Sequence, residues 1–301
     1  MAVLVDFSQV LLSSCYVFSE QIDKRQLAQQ SEENGYKNAE NIIRHVVLSQ
    51  LLTLKKKYQK TYGDIVICCD APFGDYWRKN AFKYYKANRK KAREESSIDF
   101  HLVFTIADQL IDEIKESFPY KVVRLPKAEA DDVVASIVMN SPSTEKFLIV
   151  SEDQDFVQLQ RYPNVTQIKP RTKKVLKEEN PTAYLKEKVI RGDKGDGIPN
   201  VLTEENAFVD GKKQTAMRKE RVAELMANYD RLLEMSDSGQ DFVARRLATN
   251  RRLIDFDCIP SALQTEVMQA YQEEPKGNRG TIFNYLVAHR CNILLKRIQE
   301  F

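Results

Sequence analysis

Phe147-Leu148-Ile149-Val150-Ser151-Glu152-Asp153-Gln154-Asp155 carries four apolar residues straight into a set of acids. A short, unbroken apolar run predicts a strand buried on both faces, as in a parallel sheet. Val3-Leu4-Val5 leads in the same way into Asp6, and Ile65-Val66-Ile67-Cys68-Cys69 into Asp70, with Val122-Val123 a weaker fourth run. Between them lie helical spacings: Ile43, Val47, Leu51 and Leu54, then Leu102, Ile106, Leu110, Ile114 and Phe118, then Val133, Val134, Ile137 and Val138. Alternating strands and helices predict an α/β domain over residues 1–181, with a mostly parallel central sheet flanked by helices. Beyond Pro181 only helical spacing remains, at Leu185 and Val189, Val222 to Tyr229, Leu263 to Tyr271 and Ile282 to Ile298. A smaller all-helical domain is expected over 182–301.

Each of the three clear strands ends in aspartate: Asp6, Asp70, and Asp153 with Asp155. Read singly, any of them could cap the helix that follows. In an open parallel sheet, however, ligands sit outside the carboxyl ends of the strands, so these side chains should converge on one cleft. Glu129, Asp131 and Asp132 open a further helix, and Asp153 and Asp155, two apart, point the same way from an extended segment. Grouped carboxylates raise one another's pKa and weaken the fold unless a cation joins them. An all-oxygen ligand set without His or Cys favours Mg²⁺ or Mn²⁺ over zinc.

The 301 residues are 43% hydrophobic and 30% charged, which excludes disordered and collagen-like classes. No apolar run approaches the roughly 20 residues that span a bilayer, and the chain opens directly into Ala2-Val3-Leu4-Val5 without a basic leader. The reading is an intracellular, cytoplasmic protein with no membrane partner. Five scattered cysteines give neither a disulfide framework nor zinc spacing, and Cys68 and Cys69 read as small apolar strand residues. His45, His101 and His289 read as structural, and no Walker loop, dinucleotide fingerprint or serine elbow is present.

The net charge of +3 hides a sharp segregation. Tyr76 to Arg93 holds eight Lys or Arg and no acid, with rings interleaved: Trp77, Arg78, Lys83, Tyr85, Lys86, Arg89, Lys90, Lys91 and Arg93. Cations that neutralise phosphates beside rings that stack on bases suit single-stranded ends, and a solvated basic helix is the alternative. Gly192-Asp193-Lys194-Gly195-Asp196-Gly197-Ile198-Pro199-Asn200 follows a helix. Its glycines permit a tight left-handed turn whose amides are free for a phosphate, and Asp193 and Asp196 can add to a metal site. An ordinary interhelical turn is the other reading.

Glu129-Ala130-Asp131-Asp132, then Asp153-Gln154-Asp155, then Gly192 to Pro199, in this order and spacing, resemble the 5′ nuclease (flap endonuclease) superfamily. Val5-Asp6-Phe7-Ser8-Gln9, Tyr76-Trp77-Arg78, Lys91-Ala92-Arg93-Glu94-Glu95-Ser96 and Leu253-Ile254-Asp255-Phe256-Asp257 narrow the match to one branch, over essentially the whole chain. The resemblance implies a PIN-like nuclease core and a C-terminal helix-three-turn-helix. It implies a 5′ to 3′ exonuclease that removes RNA primers from RNA·DNA hybrids, degrades duplex DNA and cuts 5′ flaps in lagging-strand replication. By the same resemblance one Mg²⁺ would fall on Asp6, Asp70, Glu129 and Asp131, with Asp153 shared. A second would fall on Asp155, Asp193 and Asp196, with Asp132 in support. Lys86 and Arg93 would flank the scissile phosphate with Arg78 as a helper, and residues 82–104 would form a bridge or arch for a 5′ end. Trp77, Lys83, Tyr85, Arg89, Lys90, Lys91, Lys194, Gly195, Gly197 and Ile198 would meet nucleic acid, with K⁺ at the turn in some members.

Implied ligands are RNA·DNA hybrid, duplex and flap DNA, and implied partners are a replication single-stranded-DNA-binding protein or a sliding clamp; a monomer is expected. Two departures stand out. Asn200 replaces the usual glycine, which a left-handed backbone tolerates, and Gly211 to Ala216 is a poor second glycine hairpin. The chain starts almost at its first strand, so an N-terminal clamp-binding extension is expected to be missing or to lie elsewhere. A non-catalytic nucleic-acid-binding module and a nuclease acting mainly on DNA flaps are the alternatives.

Overall fold

The computed structural model describes residues 1–15, 23, 32–236 and 239–301. A six-stranded sheet has the order β3-β2-β1-β4-β5-β6. It is built from β1 (Ala2–Asp6), β2 (Asp64–Cys69), β3 (Lys121–Arg124), β4 (Phe147–Val150), β5 (Val165–Ile168) and β6 (Val175–Leu176). All neighbours are parallel except the β5–β6 pair. The three clear runs and the weak fourth are therefore β1, β2, β4 and β3. Sequence reading missed β5 and β6, because Val165-Thr166-Gln167-Ile168 is half polar and β6 has only two residues.

The strand order reverses between β1, which leads outward to β2 and β3, and β4, which leads the other way. At such a switch point the loops diverge and leave a crevice. Asp6 ends β1 there, and Asp153 lies just past β4.

Helices α1 (Phe7–Cys15), α2 (Glu32–Tyr62), α3 (Trp77–Ala81), α4 (Arg89–Glu95), α5 (Phe100–Ser117), α6 (Ala130–Asn140) and α7 (Pro181–Arg191) follow in chain order. Then come α8 (Lys219–Ala227), α9 (Tyr229–Met235), α10 (Phe242–Ile254), α11 (Ser261–Gln272), α12 (Arg279–Ala288) and α13 (Asn292–Leu295). Because strand side chains alternate, Val3, Val5, Ile65 and Ile67 face one core, shared with α1, α2 and α5. Leu4, Val66, Cys68 and Ile149 face the other, shared with α6. The last segment returns to these layers: Leu263 and Val267 of α11 join the α6 side, and Ile282, Tyr285 and Leu286 of α12 join the α2 and α5 side. Buried Arg44 ties three helices there, bonding Glu113 at 3.0 Å and the Tyr285 hydroxyl at 2.7 Å.

A third core unites Leu185, Val189 and Ile190 of α7 with Leu225, Tyr229, Leu247 and Leu253. Phe82 and Tyr85, from the start of the basic stretch, are inserted into it. Burying a large side chain is worth roughly 1.5–3 kcal/mol, so the basic stretch is firmly rooted here. Cys68 and Cys69 are buried strand residues with free thiols, as expected, and burial pushes both thiols up. Among the described residues, no helix is long and apolar enough to cross a membrane.

Candidate metal centre and nucleic-acid interface

The strand ends gather the acids as expected, and in part through their caps. Asp6 accepts from the Gln9 amide (3.2 Å) through one oxygen and from the Ser151 hydroxyl (2.9 Å) through the other. Asp70 accepts from the Ser8 hydroxyl (2.7 Å) and from the Ala130 amide (2.9 Å), which brings α6 against β2. Asp153 caps the following turn by accepting from the Asp155 amide at 2.9 Å. Capping and convergence are thus the same geometry. Burial, reinforced by Asp70 and then Asp153, raises the Asp6 carboxyl to about 7. Burial also raises Asp153 and Asp131.

At the head of α6, oxygens of Glu129, Asp131 and Asp132 lie within 4.8 Å of one another. Arg78 is the hub of this group, 2% exposed. Its Nη1 stands 2.8 Å from both Glu129 and Asp132 and 3.7 Å from Asp131, while its Nε donates to the Leu253 carbonyl at 2.8 Å. Asp132 also accepts from the Trp77 indole (3.0 Å) and the Glu129 amide (2.9 Å). It therefore acts from behind, holding Arg78 and Glu129 in place.

The glycine turn supplies the far side. Lys188, on α7, bridges Asp155 and Asp193, the latter at 3.0 Å. Lys86 contacts Glu129 and lies 3.8 Å from Asp196, and the Tyr85 hydroxyl donates between the same two acids at 2.8 and 3.0 Å. Although burial opposes it, the charges of Lys86 and Arg89 hold the Asp196 carboxyl below the usual range. Thus Asp6, Asp70, Glu129, Asp131, Asp132, Asp153, Asp155, Asp193 and Asp196 form one connected set.

Several expectations need correction. Trp77 and Tyr85, expected to meet nucleic acid, are 8% and 2% exposed and bond to acids, so their rings are not stacking platforms; Ile198 is likewise buried. Amides expected to be free for a phosphate are used inside the turn. Asp196 N–H donates to the Asp193 carboxylate, Gly197 N–H to the Lys194 carbonyl and Ile198 N–H to the Asp193 carbonyl. Asn200 is not in a left-handed conformation. Its amide side chain instead fastens the turn, donating to the Thr215 carbonyl (2.9 Å) and accepting from the Leu202 amide (3.0 Å).

Lys83, Lys90, Lys194 and Gly195 are exposed, while Gly197 is buried against Tyr84 and Asn88. Arg93 is exposed and lies over the Phe104 ring at 5.0 Å; the Lys91 side chain lies outside the described ones. Residues 86–89 are clasped to the turn: Arg89 donates to the Gly195 carbonyl (3.0 Å) and contacts Asp196, Asn88 donates to the Lys194 carbonyl (2.8 Å), and Lys86 N–H to the Asp196 carbonyl (2.8 Å).

Sequence reasoning missed Lys188, Ser8 and Ser151. Acids were sought at the strand ends, and a hydroxyl next to them carries no distinct pattern. Lys188 had a legible signal in its place in the last turn of α7, just ahead of the glycine turn that carries Asp193.

Gly192 has φ 70° and ψ −175°, a region only glycine visits, and a Cβ there would stand 2.3 Å from the Ile198 carbonyl oxygen. Gly192→Ala is expected to cost more than about 2 kcal/mol, read as a lower urea midpoint; an unchanged midpoint would contradict this turn geometry. A second expectation concerns pH. Asp6 binds its proton up to about pH 7 when folded, against 3.8 for a free aspartate side chain. The folded state therefore holds the extra proton between these values, and metal-free stability falls as pH rises from 4 to 7, by at most about 4 kcal/mol. Denaturation in EDTA across this range should show that fall, and Asp6→Asn should make it shallower, the raised Asp131 and Asp153 carboxyls carrying the remainder.

Two comparisons place the chain. A family model for the 5′-3′ exonuclease N-terminal, resolvase-like domain matches residues 2–190, and one for the C-terminal part of T4 RNase H matches residues 180–301. The chain belongs to the 5′-3′ exonuclease family of nucleases. Its branch is that of the ribonuclease H of T-even-type bacteriophages: it is 33% identical to the ribonuclease H of Enterobacteria phage T4 over 305 aligned residues, 99% of this chain and 95% of that protein. Two solved structures share the fold, each at 14% sequence identity. The T5 protein co-crystallised with metal ions has a TM-score of 0.57, covering 96% of this chain and 97% of that one. The bacteriophage T5 flap endonuclease, in a pseudo-enzyme-product complex with DNA and metal ions, has a TM-score of 0.56, covering 96% and 99%.

Proposed function

We propose that this chain is a Mg²⁺-dependent 5′ to 3′ exonuclease with 5′-flap endonuclease activity, removing RNA primers from RNA·DNA hybrids, and adjacent DNA, in lagging-strand replication. The observation that carries this is the connected acid set at the switch point, where burial and neighbouring charge raise Asp6 to about 7. Such a set fits hard divalent cations, which relieve the repulsion that raises its pKa values. Asp6, Asp70, Glu129 and Asp131 would hold one ion with Asp153 shared, and Asp155, Asp193 and Asp196 a second. Divalent ions held there would supply Lewis acidity for the attack of water on phosphorus at neutral pH and would offset charge developing on the phosphate oxygens.

The protein's own residues do the rest. Arg78 and Asp132 hold Glu129 and Asp131 in register. Lys86, in contact with Glu129, would offer a positive charge to the scissile phosphate. Exposed Lys83, Lys90 and Arg93 attract the strand. K⁺ at the glycine turn, the single-stranded-DNA-binding or clamp partner, the monomeric state and action in the host cytoplasm belong to this reading through the resemblance.

The test follows 5′-labelled RNA·DNA hybrid, nicked duplex and 5′-flap DNA side by side in Mg²⁺ and in EDTA. Short, Mg²⁺-dependent products from the hybrid are expected. Binding without cleavage under every metal condition would overturn the proposal in favour of a non-catalytic binding module.

A further inference from the structure

Phe73 is 98% exposed, the most exposed large apolar side chain among the described residues. It also has a left-handed backbone, φ 59° and ψ 11°, which costs a non-glycine residue of this size about 1–2 kcal/mol. The fold thus gives Phe73 neither burial nor a relaxed backbone, an arrangement that marks functional positions.

The loop that presents it is rigid. Ala71 N–H donates to the Ala128 carbonyl (2.7 Å) and Trp77 N–H to the Lys127 carbonyl (2.9 Å). Lys127 pairs with Asp75 at 2.6 Å, and Lys79 donates to the Gly74 carbonyl at 2.5 Å. The ring is therefore held out before any partner arrives, and little entropy is lost on contact. Asp70 lies three residues before Phe73. Three residues after it, the Tyr76 ring carries the Lys79 and Lys86 ammonium groups at 5.4 and 5.2 Å. Cations for phosphates, beside an exposed ring for bases, are the two components of single-strand binding.

We infer that Phe73 stacks on a nucleobase of the bound strand close to the phosphate held at the acid cluster, fixing which phosphodiester reaches the site. This replaces the role expected of Trp77 and Tyr85, and it rests on the nuclease reading above. Base stacking on an aromatic side chain is worth roughly a ten- to hundredfold change in affinity.

Glycine suits the left-handed backbone, so Phe73→Gly removes the ring without a folding penalty, and Phe73→Trp keeps a ring. The probe is 5′-flap DNA carrying 2-aminopurine at successive positions around the junction, titrated in EDTA so that binding is read without cleavage. In the wild type and in Phe73→Trp, fluorescence at one position is expected to fall on binding. In Phe73→Gly that quenching is lost, affinity drops roughly tenfold or more and the melting temperature does not fall. The cleavage position in Mg²⁺ is also expected to scatter by a nucleotide or more in Phe73→Gly. Equal quenching and affinity in Phe73→Gly would overturn the stacking role and leave the nuclease reading standing. Failure of the wild type to bind any nucleic acid would overturn both.

Discussion

Asp153→Asn is expected to lower turnover at least about a hundredfold while affinity for flap DNA stays level or rises. Asp153 sits where β4 ends at the reversal of strand order, its charge facing Asp6, Asp193 and Asp196. An amide keeps its shape and its cap on the Asp155 amide, so the fold has no reason to change. The substitution removes one negative charge from a cleft that must hold cations for the reaction and accept a polyanion as substrate. The first loss slows chemistry, and the second relieves repulsion between protein and phosphate. Single-turnover cleavage in Mg²⁺, paired with a binding titration in EDTA, separates the two. Wild-type turnover in the variant would remove Asp153 from the metal centre.

Arg78→Met should be the most destabilising single change at the site, costing about 3–5 kcal/mol in metal-free protein. Arg78 is inaccessible to water, and so are Glu129 and Asp132 beside it. Methionine fills much of the volume but leaves buried Asp132 with no counter-charge, Glu129 with Lys86 alone, and the Leu253 carbonyl without its donor. Solvent screening cannot soften this as it does for surface pairs. Urea unfolding in EDTA reads the loss. Adding Asp132→Asn should restore part of it, because that pair is coupled. Full additivity of the two changes would show that Arg78 does not act through Asp132.

The strand-end acids were legible because a parallel sheet places residues such as Asp6, Asp70 and Asp153 by topology alone, and apolar runs reveal the topology. The pairing of Glu129 with Asp132 at the head of α6 was legible for a similar reason, as three residues make about one helical turn, a short-range fact. What a ring faces is a long-range fact. Trp77 and Tyr85 alternate with cations as surface stacking residues would, yet both turn inward, because an indole and a phenol can bury their bodies while their polar atoms bond to Asp132, Glu129 and Asp196. The return of α11 and α12 to the sheet was hidden for the same reason: apolar spacing says that a helix has a buried face, not which layer covers it. Phe73 had no sequence signal, since its meaning lies in a backbone angle.

The basic stretch is fixed at two places. Phe82 and Tyr85 are sunk in the helical core, while Asn88 and Arg89 grip the Lys194 and Gly195 carbonyls and the Asp196 carboxylate. Any displacement of Arg89 therefore pulls on the same peptide that carries Asp196. The Arg89 guanidinium and the Asp196 carboxylate are two ends of one lever, with its fulcrum near Lys86, whose own amide is tied to the Asp196 carbonyl.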